Sequence, residues 1–522
     1  MAIHTMDEFR QIDTKGGLFS KTLLLLGTLA SILWSVYFAA VTISIPYPIE
    51  FREGAAQVMT QFLLNRSNPF RLESQPLAMN NYGLGYNMVV APFAALFGNT
   101  LSIHRSVTFV FILLAALVGF ITIRKIKDDT ASGLACAAFI MVGLIARGGI
   151  GAFPSAMGTF FFMLAIVLPY LRGFDRLSLV ASILCSILAF YSKAYFMLGF
   201  GIVGSYLFLF VSKKNALIYG VTFLTLFVSS LLIVRLAFPL YLINTIIGNI
   251  SNTERSSAHL LSQLSQLLTY FFPVLVCSVF LLVMERNSFS RGTGLRLNAR
   301  GWKQPLIHGS PDYFFYSFVC AFLAFVLFLG PHIGNYLRYA YQLVVPLFFC
   351  WFFLKLNLQK KTAVLITLAI LVNLFFWERS SLSPQLLEQK DSTAWASLYS
   401  HVRSSSNILN SPVVTSAVIE LGLNPLDSGQ TSYFYAVQPY PENALLGPAY
   451  DSFQADGLKY IKFIDSSIEK QKFDLVITTR EKSTFYHAKL LETFYTPVME
   501  IRVDMPQSAQ QWTAVLWKPL PR

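Results

Sequence analysis

Acids are scarce in the membrane-like part of this chain, so the few that stand where chemistry could happen are easy to name. None of the long apolar segments before residue 378 carries Asp or Glu in its core. On the side of the membrane reached after the first segment, the sequence offers only Glu50, Glu53, Glu73 and Glu254. Three of these share one loop, residues 45–100, which opens YPIEFREGAAQVMTQFLLNRSNPF. A carboxylate there has the chemistry to take a proton from a hydroxyl or amine nucleophile. Glu53 is the first candidate for a catalytic base, because it falls in the first turn of a predicted helix, where the helix dipole favours the ionised form. Gly54 beside it lets a substrate approach the backbone closely. The competing reading is an acid that only decorates a helix start, and the residues alone do not choose between the two. Glu50, after Pro48, is a weaker candidate, and Glu73, weaker still, reads as solvated loop.

The elements that must position these acids are membrane spans. Of 522 residues 54% are hydrophobic and only 13% charged, with a mean hydropathy of +0.54, which is too apolar for a soluble protein of this size. Segments of spanning length read as about eleven transmembrane helices, at 22–44, 101–123, 131–149, 155–171, 177–192, 194–211, 216–236, 267–284, 313–330, 335–354 and 363–377. The net charge of +13 lies between those segments and follows a topology rule, which argues against nucleic acid as partner. One set of alternating loops holds 18 basic residues against 9 on the other side before residue 378, so the N-terminus is predicted cytoplasmic. All five cysteines sit in apolar runs and read as small buried hydrophobes. Within the first outer loop, Phe51, Ala55, Val58, Met59, Phe62 and Leu63 share one helical face, the pattern of an amphipathic helix lying in the membrane interface.

From residue 378 the composition changes, with 13 basic and 15 acidic residues and short runs such as SPVVTSAVIEL and KFDLVITTR that pattern as buried strands. DSTAWASLYSHVRSS patterns as a helix. The expected organisation is a cytoplasmic segment 1–18, a transmembrane domain 19–377 with interfacial helices in loop 45–100, and an extracytoplasmic α/β domain 378–522.

FREGA, LLNRSNPF, NNYGLGYNMVVAPFAALFG and HRSVTFVFILL, in that order, resemble the GT-C superfamily of integral-membrane glycosyltransferases, in particular the protein O-mannosyltransferase and aminoarabinose transferase group. The resemblance is strongest over residues 45–125 and looser through 377. It implies a polytopic helical fold of the GT-C type, a polyprenyl-phosphate sugar as donor, and a first-loop carboxylate as general base, which the motif places on Glu53. Many relatives carry Asp-Glu with Asp as base, whereas this chain has Arg52 at the Asp position. A second acid of many relatives, near the fourth span, is replaced here by GAFPSAMG. The leaving phosphate of such a reaction needs cations, because negative charge builds on its oxygens. Lys193 in FYSKAYF and Arg338 in GPHIGNYLRYAYQ stand where relatives tend to be basic, and Arg52, Arg105, Arg147, His104 and His332 follow. Tyr82 in NNYGLGY and Tyr339 beside Arg338 complete the expected substrate-binding set. The plain alternative for any one of these is a snorkelling cation or an aromatic belt.

No cofactor is expected. The sequence has no His-x-x-x-His or Asp-x-Asp pair, although a divalent ion is left open because some distant relatives use one. The expected protein is therefore a bacterial inner-membrane glycosyltransferase acting on a lipid, glycan or protein acceptor, surrounded by membrane lipids. Two other classes compete with it. A non-enzymatic lipid or polysaccharide transporter would favour paired inverted repeats, which are absent from the sequence. An O-antigen polymerase or ligase would favour a later outer loop rich in Arg and His, but loop 237–266 holds only Arg255 and His259 of those types.

Overall fold

The computed structural model describes residues 3–146, 150–247, 255–284, 312–332, 338–355, 392–431, 447–481, 484–505 and 510–521. Residues 363–377, read as the last span, and Glu254 lie outside them. Helices dominate: α1 (Ile3–Ser44), α2 (Glu53–Leu64), α3 (Leu84–Phe97), α4 (Leu101–Lys127), α5 (Thr130–Ala146), α6 (Ser155–Leu171), α7 (Arg176–Ser192), α8 (Leu198–Tyr206) and α9 (Lys213–Ala237) come first, followed by Ser257–Met284, Tyr313–Ala324, Arg338–Leu343 and Val345–Lys355. Among the described residues, four helical stretches are long and apolar enough to cross a membrane, Thr22–Ser44, Leu101–Lys127, Ala194–Val211 and Lys213–Ala237, with shorter apolar helices packed among them. Leu217, Ile218, Val221, Leu224, Leu232, Ile233 and Leu236 on α9 all point outward and are exposed. Water would not tolerate that surface and hydrocarbon does, so this is a polytopic membrane protein.

The predicted span 335–354 is broken in the structure. A short helix, Arg338–Leu343, is followed directly by Val345–Lys355. Pro346 supplies the physical reason, since it has no N–H for the turn before it.

The first outer loop differs from a helix lying flat at an interface. In α2 the residues Glu53 to Thr60 are all buried, polar Gln57 and Thr60 included. Asn87 on α3 donates to the Ala56 carbonyl at 2.8 Å and to Thr60 Oγ1 at 3.0 Å, while Asn99 and Gln57 exchange side-chain to backbone hydrogen bonds at 2.9 and 3.0 Å. Amphipathic periodicity was a correct sign of a helix, but the polar face is answered by protein groups instead of water.

What lies over α2 comes from the far end of the chain. Residues after 392 form a four-stranded sheet in the order β1 (Ile408–Leu409), β2 (Leu475–Thr479), β4 (Gln510–Pro519), β3 (Tyr495–Met505), parallel between β1 and β2 and antiparallel elsewhere. SPVVTSAVIEL, patterned as a strand, is instead a turn leading into the helix Thr415–Glu420. Thr415 Oγ1 bonds back to the carbonyls of Ser411 and Asp427 at 3.2 and 2.7 Å, and such local bonds compete with strand pairing. This helix packs on α2 so closely that a Cβ on Gly54 would stand 2.7 Å from Thr415 Cβ. Trp395 stacks on Tyr47 at 5.4 Å and Trp512 lies 5.5 Å from Phe51. A Gly54→Val chain should therefore lose about 1–3 kcal/mol through overpacking. Thermal unfolding of the detergent-solubilised protein checks this, and an unchanged midpoint would deny the close contact.

Candidate functional site

Glu53 sits at the centre of a closed cage. Its Oε1 accepts from Arg105 Nε at 2.9 Å and from the Ala152 N–H at 2.9 Å, and its Oε2 accepts from Arg105 Nη2 at 2.7 Å and from the Ile49 N–H at 2.8 Å. Arg105 spends its remaining donors on the carbonyls of Thr42, Ile45 and Tyr47 at 3.0, 2.7 and 2.7 Å. Both side chains are fully buried. All five guanidinium N–H groups and all four favourable carboxylate positions are thereby taken. A base needs a lone pair within reach of the proton it abstracts, and this geometry leaves Glu53 none turned toward an acceptor. The cage ties the end of α1, the start of α2, α4 and the stretch before α6 to one point. Tyr399 lies over it against Tyr47, and burial, with the Glu420 charge nearby, holds its phenol well above the usual range and so neutral.

Glu50, three residues earlier, is placed differently. Its carboxylate accepts from Arg52 twice, from Nε at 2.5 Å and from the backbone N–H at 2.8 Å. The Arg52 side chain is 14% exposed and the Glu50 side chain paired with it 2% exposed.

From Arg52 a row of aromatic rings and cations runs across the site. The guanidinium carbon lies 5.8 Å from the Phe153 ring, Phe153 meets Tyr82 edge-on at 6.1 Å, and the Lys193 ammonium stands 4.9 Å from the Tyr82 ring, 5.3 Å from Tyr195 and 4.2 Å from Tyr339. Lys193 Nζ also donates to Tyr339 Oη at 3.0 Å. Rings at these distances attract a cation through their quadrupoles. Backbone geometry explains the row. Helix α7 stops at Lys193, whose φ of −160° and ψ of 128° are extended. There the chain passes so near the loop 80–83 that a Cβ on Gly83 would stand 1.9 Å from the Tyr191 carbonyl oxygen, and Gly83 N–H donates to the Ser192 carbonyl at 3.2 Å. Only glycine permits that approach, and it brings Tyr82 against Lys193. Tyr195 Oη in turn donates to Gln342 at 2.7 Å, anchoring the helix that carries Tyr339.

Four residues expected from sequence, Arg52, Tyr82, Lys193 and Tyr339, thus stand in one row. The Arg338 side chain lies outside the described residues, and Arg147 does too. His332 makes none of these contacts; it forms an isolated backbone bridge with Arg255. Sequence reading missed Phe153 and Tyr195 as parts of the row, although Phe153 belongs to the quoted stretch GAFPSAMG. In this chain that stretch supplies a backbone donor to Glu53 and a ring to Arg52. Among the described residues, no group of three or more His, Cys, Asp or Glu side chains could hold a metal ion.

Two solved structures align with the chain over nearly their whole length. ArnT from Cupriavidus metallidurans bound to undecaprenyl phosphate has a TM-score of 0.58, and the same protein in its apo state 0.59; each is 10% identical, with 94% of this chain and 97% of that chain covered. The chain has a GT-C-like fold. At that identity the GT-C-like likeness carries the fold alone. No protein-family model matches the sequence, and a search of curated proteins found no match to it.

Proposed function

We propose that this GT-C-like protein is a glycosyltransferase that moves a sugar from a polyprenyl-phosphate carrier to an acceptor on the outer face of a bacterial inner membrane, with its N-terminus cytoplasmic and residues 378–522 outside. The row from Arg52 through Tyr82 to Lys193 and Tyr339 carries the reading. It sets two cations and stackable rings side by side, which suits a phosphate joined to a sugar on one side and a lipid on the other. The undecaprenyl phosphate bound by the ArnT of like fold supports the same class of donor.

In this reading Lys193 and Arg52 take the phosphate oxygens and Tyr82 and Tyr339 flank them. Glu50 is the base. When Arg52 turns toward the incoming phosphate it uncovers the Glu50 carboxylate, which accepts the proton of the acceptor hydroxyl or amine. The deprotonated atom bonds to the anomeric carbon, the bond from that carbon to the phosphate oxygen breaks, and its electron pair leaves with polyprenyl phosphate. Glu53, locked to Arg105, positions the loop that holds both groups. Loss of a general base costs roughly 10²–10⁴ in rate. Transfer of radiolabelled sugar from undecaprenyl-phosphate donors in membrane vesicles should fall by that order in Glu50→Gln, with the protein still folded and still binding undecaprenyl phosphate. Turnover at the wild-type rate in Glu50→Gln would remove Glu50 from the mechanism.

A further inference from the structure

Three buried amide side chains each leave one terminal atom without a hydrogen-bond partner, and two of them, Asn80 and Gln430, belong to or bond the loop 80–83 that carries Tyr82. Asn80 is 1% exposed; its Oδ1 accepts from the Tyr82 N–H at 3.0 Å, and its Nδ2 has no partner. Gln430, from the C-terminal part of the chain, is 2% exposed; its Nε2 donates to Asn81 Oδ1 at 3.1 Å, and its Oε1 has none. Gln75 donates from Nε2 to the Pro69 carbonyl at 2.9 Å, and its Oε1 is likewise unmatched. The segments carrying them are tied together, since Thr431 Oγ1 donates to the Pro76 carbonyl at 3.3 Å. Exchanging the oxygen and nitrogen of any of these amides still leaves one atom of it to be matched. Native proteins rarely bury polar atoms unpaired, because each then bears its full desolvation cost. Asn80 and Gln430, on neighbouring segments, thus offer one donor and one acceptor to a group that both donates and accepts.

We propose that Asn80 and Gln430 read the hydroxyls of the donor sugar, so that the C-terminal domain supplies part of the specificity of the transfer. The inference rests on the function proposed above. A sugar hydroxyl is both donor and acceptor and can meet either amide atom. Asn80 is two residues from Tyr82, whose ring faces Lys193, and the sugar is one bond from the phosphate that Lys193 would hold. Groups this near the phosphate clamp meet the donor sugar before they meet the acceptor. Gln430 then explains why residues 428–431 reach over to the loop 75–82 at all.

The test compares affinities of the purified full chain in lipid nanodiscs for bare undecaprenyl phosphate and for undecaprenyl phosphate carrying glucose, mannose or 4-amino-4-deoxyarabinose. The wild type should prefer one sugar-bearing form over the bare carrier. Asn80→Ser and Gln430→Met should each lower that preference about tenfold, equivalent to about 1.4 kcal/mol, while affinity for the bare carrier stays within about twofold of wild type. The unchanged bare-carrier affinity also reports that the variant is folded, and two variants on separate segments guard against one that is not. Bare-carrier binding with undiminished sugar preference in both variants overturns the role of these amides and leaves the function standing. A wild-type chain that binds neither form overturns the function and this inference with it.

Discussion

Glu53→Gln is expected to yield a protein that fails to fold stably, not a folded protein without activity. The substitution would leave the Arg105 guanidinium fully buried with its counter-charge gone, and breaking a buried ion pair from one side costs about 3–5 kcal/mol. That is a large fraction of the stability of an ordinary domain. Arg105→Ala should do the same from the other side, by leaving the Glu53 carboxylate and the carbonyls of Thr42, Ile45 and Tyr47 without donors. Size-exclusion profiles and thermal midpoints of the detergent-solubilised variants decide the matter. A monodisperse Glu53→Gln protein with a wild-type midpoint and no transferase activity would restore Glu53 as the base and contradict the structural role given to it here.

Lys193→Ala should act on binding and leave the fold intact. The ammonium is only half-buried, and its neighbours are the ring faces of Tyr82, Tyr195 and Tyr339, which can pack against one another when it is gone. A charge-assisted hydrogen bond to phosphate is worth about 1.5–3 kcal/mol, so affinity for undecaprenyl phosphate should fall by about 10- to 150-fold. Lys193→Arg should keep part of it, since the charge remains although the geometry differs. Titrating nanodisc-embedded protein with undecaprenyl phosphate measures this. Equal affinity in the alanine variant would mean that the ammonium serves only to bind its own tyrosines.

How far these features could be read from the chain depends on the range of the forces involved. Helices such as α4 and α9 were legible because a bilayer demands about twenty apolar residues in a row, and residues 475–479 were legible as a strand because a buried strand leaves a continuous run of apolar and β-branched side chains. Lys193 could be picked out for a similar local reason, a charge between two greasy runs. Glu53 illustrates the opposite case. Its position at a helix start was visible, but its partner Arg105 is 52 residues away and its other donors come from residues 49 and 152. No local pattern says that a carboxylate will be enclosed by segments so far apart. The helix Thr415–Glu420 was misread because Val413, Val414, Val418 and Ile419 are apolar enough for a strand, while the bonds that bend the chain come from Asn410 and Asp427. The close packing of Gly54 on Thr415, and of Gln430 on Asn81, was likewise hidden until both ends of the chain were in place.

The central claim is that the phosphate of a polyprenyl carrier rests on Lys193 and Arg52. An experimental structure of the protein with undecaprenyl phosphate in nanodiscs tests it most directly. The account predicts phosphate oxygens about 2.7–2.9 Å from Lys193 Nζ, with the Arg52 guanidinium drawn off Glu50 to the same group. Phosphate bound elsewhere, with Lys193 still donating to Tyr339 and Arg52 still closed over Glu50, would contradict it.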